Sequence, residues 1–506
     1  MSGTFFGHPR GLATLFFTEM WERFTYYGMR ALLVLFLVGA VSSGGFGIDD
    51  KTATAIYGLY TASVFLTCLP GGWIADRLIG ARRAVLIGGL AITLGNSLLA
   101  MSTTPHGFYL GLVVIVVGVG LLKPNVSAMV AELYPEGGAR LDAGFTMFYI
   151  GINIGSTIGP IVTGEAQQYF GPRAGFGVAA VFMAVGVAQF YFTRRYLGEA
   201  GKFVPAPAAA PMAGGAVLPG AMPAPAARGK PWLKLWIGGA IAAICLTACG
   251  AGWIEVNPIN LARTTTGLIV SMAVLYFGYF FLGAGLSAEE RRRGFVLVVL
   301  FVGSALFWSG YEQAGSSLNL FAERYTNRDI AALHFVIPTE WFQSLNPAFI
   351  IIFAPMFAWA WVALARRHLN PSVPAKFALG VILMGSGFLV MAAAAAIVAS
   401  GSKVLPYWLI VTYLLHTFGE LCLSPVGLSF FTKLSPKRFV GQMMGMFFLS
   451  ISLGNLVAGL IAGEFDADHV AAMPGQYLHI VYFSVGLGVA LLILSRPVKK
   501  FMGSVQ

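Results

Sequence analysis

Apolar stretches about 20 residues long recur along nearly the whole of this 506-residue chain, and that repetition leaves few folds open. A helix rising 1.5 Å per residue needs about that many residues to cross the hydrocarbon layer of a membrane. Fourteen such stretches can be placed, near residues 12–40, 52–77, 83–103, 107–132, 143–168, 173–197, 232–254, 266–287, 294–322, 340–365, 376–400, 405–433, 439–464 and 476–497. The chain is 57% hydrophobic and 10% charged, with a mean hydropathy of +0.76. Soluble domains carry about 25% charged residues, so this apolar surface needs lipid as its solvent. The runs are too long and too uniform for the alternating strands of a barrel, which makes the spans helical. The first stretch holds Glu19, Glu22, Arg23 and Arg30 and lacks an A-x-A-like cleavage site, which argues against a removed signal peptide.

Lys and Arg set the orientation. With the N-terminus inside, 23 of them fall on the cytoplasmic side, against 6 on the other. The positive-inside rule then places both termini in the cytoplasm of a cell whose inner, plasma membrane the chain crosses. The same residues account for the net charge of +11, so no nucleic-acid partner is implied. Cys68, Cys245, Cys249 and Cys422 all fall within apolar spans and read as small buried hydrophobes. Neither a metal site nor a cofactor is expected, and no nucleophile elbow or phosphate-cradling loop marks an enzyme.

Composition divides the chain. Residues 198–231 are rich in Ala, Pro and Gly and read as a flexible cytoplasmic linker. Six spans precede it (residues 1–197) and eight follow. The pair at 232–287 carries no charged group in the interior of its spans and is the natural surplus, which leaves a second bundle of six at 294–506. Twelve core helices in two six-helix bundles, plus two extra central helices, is the plan of a transporter with its substrate cavity at the midplane. The loop Gly72-Trp-Ile-Ala-Asp76-Arg77-Leu-Ile-Gly80-Ala-Arg82-Arg83 resembles the G-x-x-x-D-R-x-x-G-x-R-R signature of the major facilitator superfamily, which implies that fold.

Ionisable groups at bilayer depth are costly and therefore point to function. In the first span Glu19, Glu22, Arg23, Tyr26, Tyr27 and Arg30 form one helical stripe. Lys123, Glu312 and Glu420 lie in later spans. Counting residues from the helix ends puts Arg30 level with Glu312 in the outer half and Lys123 level with Glu420 nearer the cytoplasm. Both pairs are candidate gates. Three cations against four carboxylates leave a charge of −1, which one proton neutralises, and burial favours the neutral acid. His416 lies a turn before Glu420 and reads as packing. Tyr60, Tyr149, Asn153, Trp308, Gln313 and Asn346 share these spans and suit a small polar ligand.

Three separated segments then resemble a known family, the proton-dependent oligopeptide transporters. Glu19, Glu22, Arg23, Phe24, Tyr26 and Tyr27 are similar to its E-x-x-E-R-F-x-Y-Y signature, and Phe148-Tyr149-Ile-Gly-Ile-Asn153-Ile-Gly155-Ser156 to its F-Y-x-x-I-N-x-G-S motif. Trp308 with Glu312-Gln313, Asn346-Pro347, and Glu420 with Ser424-Pro425 are similar to its C-terminal signatures. The resemblance implies proton-coupled symport of di- and tripeptides by alternating access. By it, Arg23, Tyr27, Arg30 and Lys123 receive the peptide carboxylate; Asn153, Asn346 and Glu420 receive the amino terminus, with Tyr60, Tyr149, Trp308 and Ser424 lining the site. Glu19, Glu22 and Glu312 carry or relay the proton. Phe447 stands where the family usually has Trp, which bears on side-chain preference. The expected partners are short peptides, protons and the lipid bilayer, and the expected state is a monomer. Uptake of nitrate or another small anion is the alternative, with a membrane anchor lacking any transport cycle as a third reading.

Overall fold

In a computed structural model, the description covers residues 4–203, 256–465 and 467–502, with isolated positions between 235 and 247. Most of the expected linker, the span at 232–254, Cys245 and Cys249 lie outside the described residues. The helices are α1 (Arg10–Val38), α2 (Asp50–Leu66), α3 (Cys68–Ile74), α4 (Ala81–Met101), α5 (Pro105–Glu132), α6 (Gly138–Phe170), α7 (Ala174–Thr193), α8 (Pro258–Leu282), α9 (Ala288–Tyr311), α10 (Ser317–Tyr325), α11 (Leu345–Arg366), α12 (Val373–Ala399), α13 (Tyr407–Leu434), α14 (Val440–Ala462) and α15 (Met473–Phe501). Two short ribbons, β1 (Thr4–Phe5) with β2 (His8–Pro9) and β3 (Asp329–Ile330) with β4 (Phe335–Val336), are the strands among the described residues.

Eleven segments among the described residues are long and apolar enough to cross a membrane. Helix α1 stands apart from them because its buried charges interrupt the apolar run, and in α13 the stretch Tyr407–Leu423 forms a shorter apolar piece. With these two, thirteen of the fourteen expected spans are found among the described residues; the one at 232–254 lies outside them.

Several helices are interrupted where the sequence suggests unbroken spans. The second span is α2 followed by α3, and it ends in a π-turn over Ala75–Ile79 that closes on Gly80 at φ +81°. At the break, the Thr67 hydroxyl donates to the Val116 carbonyl at 3.1 Å. The span expected at 294–322 is α9, a 3-10 turn over Glu312–Gly315, then α10. Ser287 and Glu290 form a capping box that starts α9.

The chain clusters into two compact units. The first comprises Met1–Met29, Leu66–Gly159 and Arg173–Asn257; the second comprises Arg30–Phe65, Pro160–Pro172 and Pro258–Gln506. Within the first, α4 packs along α5 and α7. Gly88 and Gly118 face each other there, and a Cβ on Gly118 would lie 2.7 Å from the Gly88 carbonyl oxygen. Small residues of this kind let helices in lipid approach at backbone distance. Within the second, α12 packs along α13 and α15, and α14 lies between α9 and α8.

Candidate functional site

The first unit holds the acidic stripe of α1. Three glycines of α6, Gly151, Gly155 and Gly159, recur every fourth residue and face α1 at Phe16, Met20 and Phe24. A Cβ on Gly155 would overlap the Met20 carbonyl oxygen, and one on Gly159 that of Phe24. At Gly155 and Gly159 the seam is thus backbone against backbone. On α1, Glu19, Glu22 and Arg23 are buried, with Glu22 at 0% exposure. Arg23 Nε lies 3.1 Å from Glu19 Oε1 and 2.5 Å from Glu22 Oε2. The Arg23 guanidinium also lies over the Tyr26 ring, 5.2 Å from its centroid. Lys123, half-buried on α5, has Arg23, Glu22 and Glu19 as charged neighbours. This group balances, with two cations and two carboxylates.

Asn153 is buried on α6, and its amide donates to the Tyr149 carbonyl of its own helix at 2.9 Å. Tyr149 is exposed and Tyr27 half-buried. The loop signature has a local task as well. Arg82 donates from Nε to the Ala200 carbonyl at 2.7 Å and from Nη2 to the Gly198 carbonyl at 2.6 Å, which ties down the chain leaving α7.

The second unit holds a longer network. Arg30 Nη1 donates to Glu312 Oε2 at 3.0 Å, with both side chains buried. The Tyr57 hydroxyl donates to the same carboxylate oxygen at 3.3 Å. Arg30 Nη2 reaches Gln343 Oε1 at 3.5 Å, and the Gln343 amide donates to the Tyr413 hydroxyl at 3.2 Å and to the Ala314 carbonyl. Asn346 Nδ2 donates to Glu420 Oε2 at 2.9 Å and to Thr417 Oγ1 at 3.0 Å. The Tyr311 hydroxyl also bonds Glu420. Trp308 is half-buried with its ring 5.1 Å from that of Tyr311, at 81°, and Tyr60 is buried on α2. Gln313 accepts from the Ser317 hydroxyl at 2.9 Å. The Ser424 side chain lies outside the described residues.

Sequence reasoning missed Tyr57, Gln343, Tyr413 and Thr417 because a polar residue that serves an ion pair carries no signal of its own. It also missed Glu340, buried in the turn Thr339–Ser344 before α11, by treating it as the edge of a span. Glu340 corrects the balance of buried charge. In the second unit Arg30 stands against Glu312, Glu420 and Glu340, so the excess of buried carboxyl groups sits there. His416 is a packing residue as expected, its ring 5.0 Å from that of Phe388.

Buried ionisable groups of both signs, joined by amides and hydroxyls inside membrane-spanning helices, define a membrane transporter. The sequence model of the POT family matches residues 82–202 and 285–477. The peptide transporter YePEPT of Yersinia enterocolitica is 40% identical, over 99% of this chain and 97% of that one. The di-/tripeptide transporter of Lactococcus lactis subsp. cremoris is 35% identical, over 99% of this chain and 98% of its own. A solved structure of a mutant peptide transporter POT in complex with alafosfalin superposes with a TM-score of 0.87 at 38% identity, covering 99% of this chain and 98% of that one. The chain belongs to the POT family; it is a transporter and not an enzyme. The all-α integral-membrane fold expected from sequence, of the major facilitator type, is the fold of these structural neighbours.

Proposed function

We propose that this chain is a proton-coupled symporter that carries di- and tripeptides into the cell by alternating access. The observation that carries the reading is the Arg30–Glu312 pair, buried on both sides and braced by Tyr57 and Gln343. A proton on Glu312 removes the charge that holds Arg30 and frees a buried guanidinium for a carboxylate ligand. Glu420, with Asn346 and Thr417 beside it, is the acceptor set for an ammonium group.

In this reading Arg23, Tyr27, Arg30 and Lys123 receive the peptide carboxylate. Asn153, Asn346 and Glu420 receive the amino terminus, while Tyr60, Tyr149, Trp308 and Ser424 line the cavity. Glu19, Glu22 and Glu312 bind or relay the proton. Arg30–Glu312 and Lys123–Glu420 act as alternating gates. The names of the relatives support the substrate class: one is a peptide transporter and another a di-/tripeptide transporter. The proposed location is the inner membrane, with both termini cytoplasmic and the protein a monomer.

The test is uptake by proteoliposomes under an inward proton gradient, with dialanine and its N-acetylated form. Wild type accumulates the free-amine peptide in preference to the acetylated one, and Glu420→Gln loses that preference. No accumulation of dialanine would sink the symport reading, and equal uptake of both ligands by wild type would sink the amine site. Nitrate as a competing substrate in the same assay discriminates the small-anion alternative.

A further inference from the structure

Glu340 is 3% exposed, and its oxygen Oε1 has no hydrogen-bond partner among the described residues. Its surroundings explain why no cation compensates it. The charged groups that face it are Glu323, on α10, and Arg328, in the loop that follows. Arg328 is already committed: it donates from Nη2 to Glu323 Oε2 at 2.7 Å and from Nη1 to the Ile337 carbonyl at 2.8 Å. Glu323 also accepts from the Thr339 hydroxyl. Glu340 is thus left with a carboxylate neighbour and no ion pair, a setting in which a buried charge is costly.

The outer end of α6 supplies the rest. Gly164 brings its backbone close to the Glu340 carboxyl, since a Cβ there would lie 3.0 Å from Glu340 Cβ and 3.1 Å from Oε2. One turn on, Gln167 makes a side-chain hydrogen bond with Glu340, yet the Gln167 oxygen Oε1 is itself buried without a partner. Two buried acceptors on an acid and an amide in contact lack one donor between them. A carboxylic-acid proton is that donor: the acid O–H donates to the amide oxygen and the amide N–H donates to the acid carbonyl, which satisfies both groups.

We infer that Glu340 is a second proton-binding site of this protein, holding a carboxylic-acid proton against Gln167 and clamping the turn before α11 to the outer end of α6, apart from the Arg30–Glu312 pair. The Trp341 indole, donating to the Ile161 carbonyl at 3.3 Å, fastens the same turn to the same helix segment. Loss of the proton puts a bare carboxylate beside Glu323 and loosens the clamp.

Infrared spectroscopy of the purified full chain at neutral pH reads the proton directly, with no substrate present. Wild type is expected to show the C=O stretch of a protonated buried carboxyl, shifted in D2O, which Glu340→Gln lacks and Glu312→Gln retains. An unchanged band in Glu340→Gln means an ionised, internally hydrated Glu340 and overturns the proposal. Thermal unfolding against pH gives the second readout. The wild-type midpoint is expected to fall on the alkaline side while that of Glu340→Gln stays flat, because Gln keeps an amide pair with Gln167. Parallel pH profiles overturn the clamp. Gln167→Leu, which leaves the acid in place, is expected to abolish the stabilising effect of low pH if the amide is its partner; a wild-type profile in that variant overturns the pairing.

Discussion

Arg30 is a buried cation whose charge is met by one carboxylate, with Tyr57 and Gln343 acting as neutral supports. Breaking such a pair from one side costs about 3–5 kcal/mol when the remaining charge stays buried. Glu312→Gln keeps the shape and an acceptor but removes the carboxylate to which the proposed coupling assigns the proton. It is expected to abolish proton-driven accumulation of dipeptide while counterflow exchange survives, and loss of exchange to the same degree would assign Glu312 to binding instead. Asn346 has a different task, since one amide bonds both Glu420 and Thr417. Asn346→Leu leaves that buried carboxylate short of a donor and is expected to raise KM for dialanine and lower stability by about 1–3 kcal/mol. The charges themselves were legible in the sequence because each is an anomaly in an apolar run. Their supports were not, since Tyr57 and Tyr413 look like any tyrosine in a membrane helix until the fold brings them to Glu312 and Gln343.

At the scale of helices, the seam of Gly151, Gly155 and Gly159 against α1 sets where the stripe of charges points. Gly155→Ala forces a methyl group onto the Met20 carbonyl, an overpacking expected to cost about 1–3 kcal/mol. Gly441→Ala serves as the control, because nothing lies within 4 Å of its added Cβ. The midpoint of thermal unfolding in detergent should drop for the first and hold or rise slightly for the second. Equal effects would mean that the seam is loose. The spans found among the described residues follow from hydropathy, but their interruptions do not. The 3-10 turn at Glu312–Gly315 is set by tertiary contact: a Cβ on Gly315 would collide with the Tyr57 hydroxyl, so the turn exists where that ring reaches Glu312. A hydropathy profile contains no such information.

For the whole molecule, the class of fold and the family were open to a sequence reading because lipid permits few solutions. Helix α8 illustrates what remained. It lies against α14, buries Ala262, Ile269, Ala273, Phe277 and Phe280, and leaves most of its other side chains exposed. Tyr276 Oη donates to Gln442 Oε1 at 2.9 Å, and Arg438 reaches Glu290 at 3.4 Å. A chain in which residues 232–287 are replaced by a flexible linker is expected to keep proton-driven uptake with reduced stability. Complete loss of transport in a correctly folded deletion variant would place that helix pair in the cycle itself.

The excess of carboxylates in the second unit carries an electrical consequence. A dipeptide with both termini ionised has no net charge, so each proton that enters with it moves one elementary charge across the membrane. That charge is worth about 2.3 kcal/mol per 100 mV of membrane potential. An interior-negative potential imposed on proteoliposomes at equal pH on both sides should therefore drive dialanine inward, with an inward current in electrical recordings. Peptides carrying an extra carboxylate should lose that voltage dependence unless they bring a further proton.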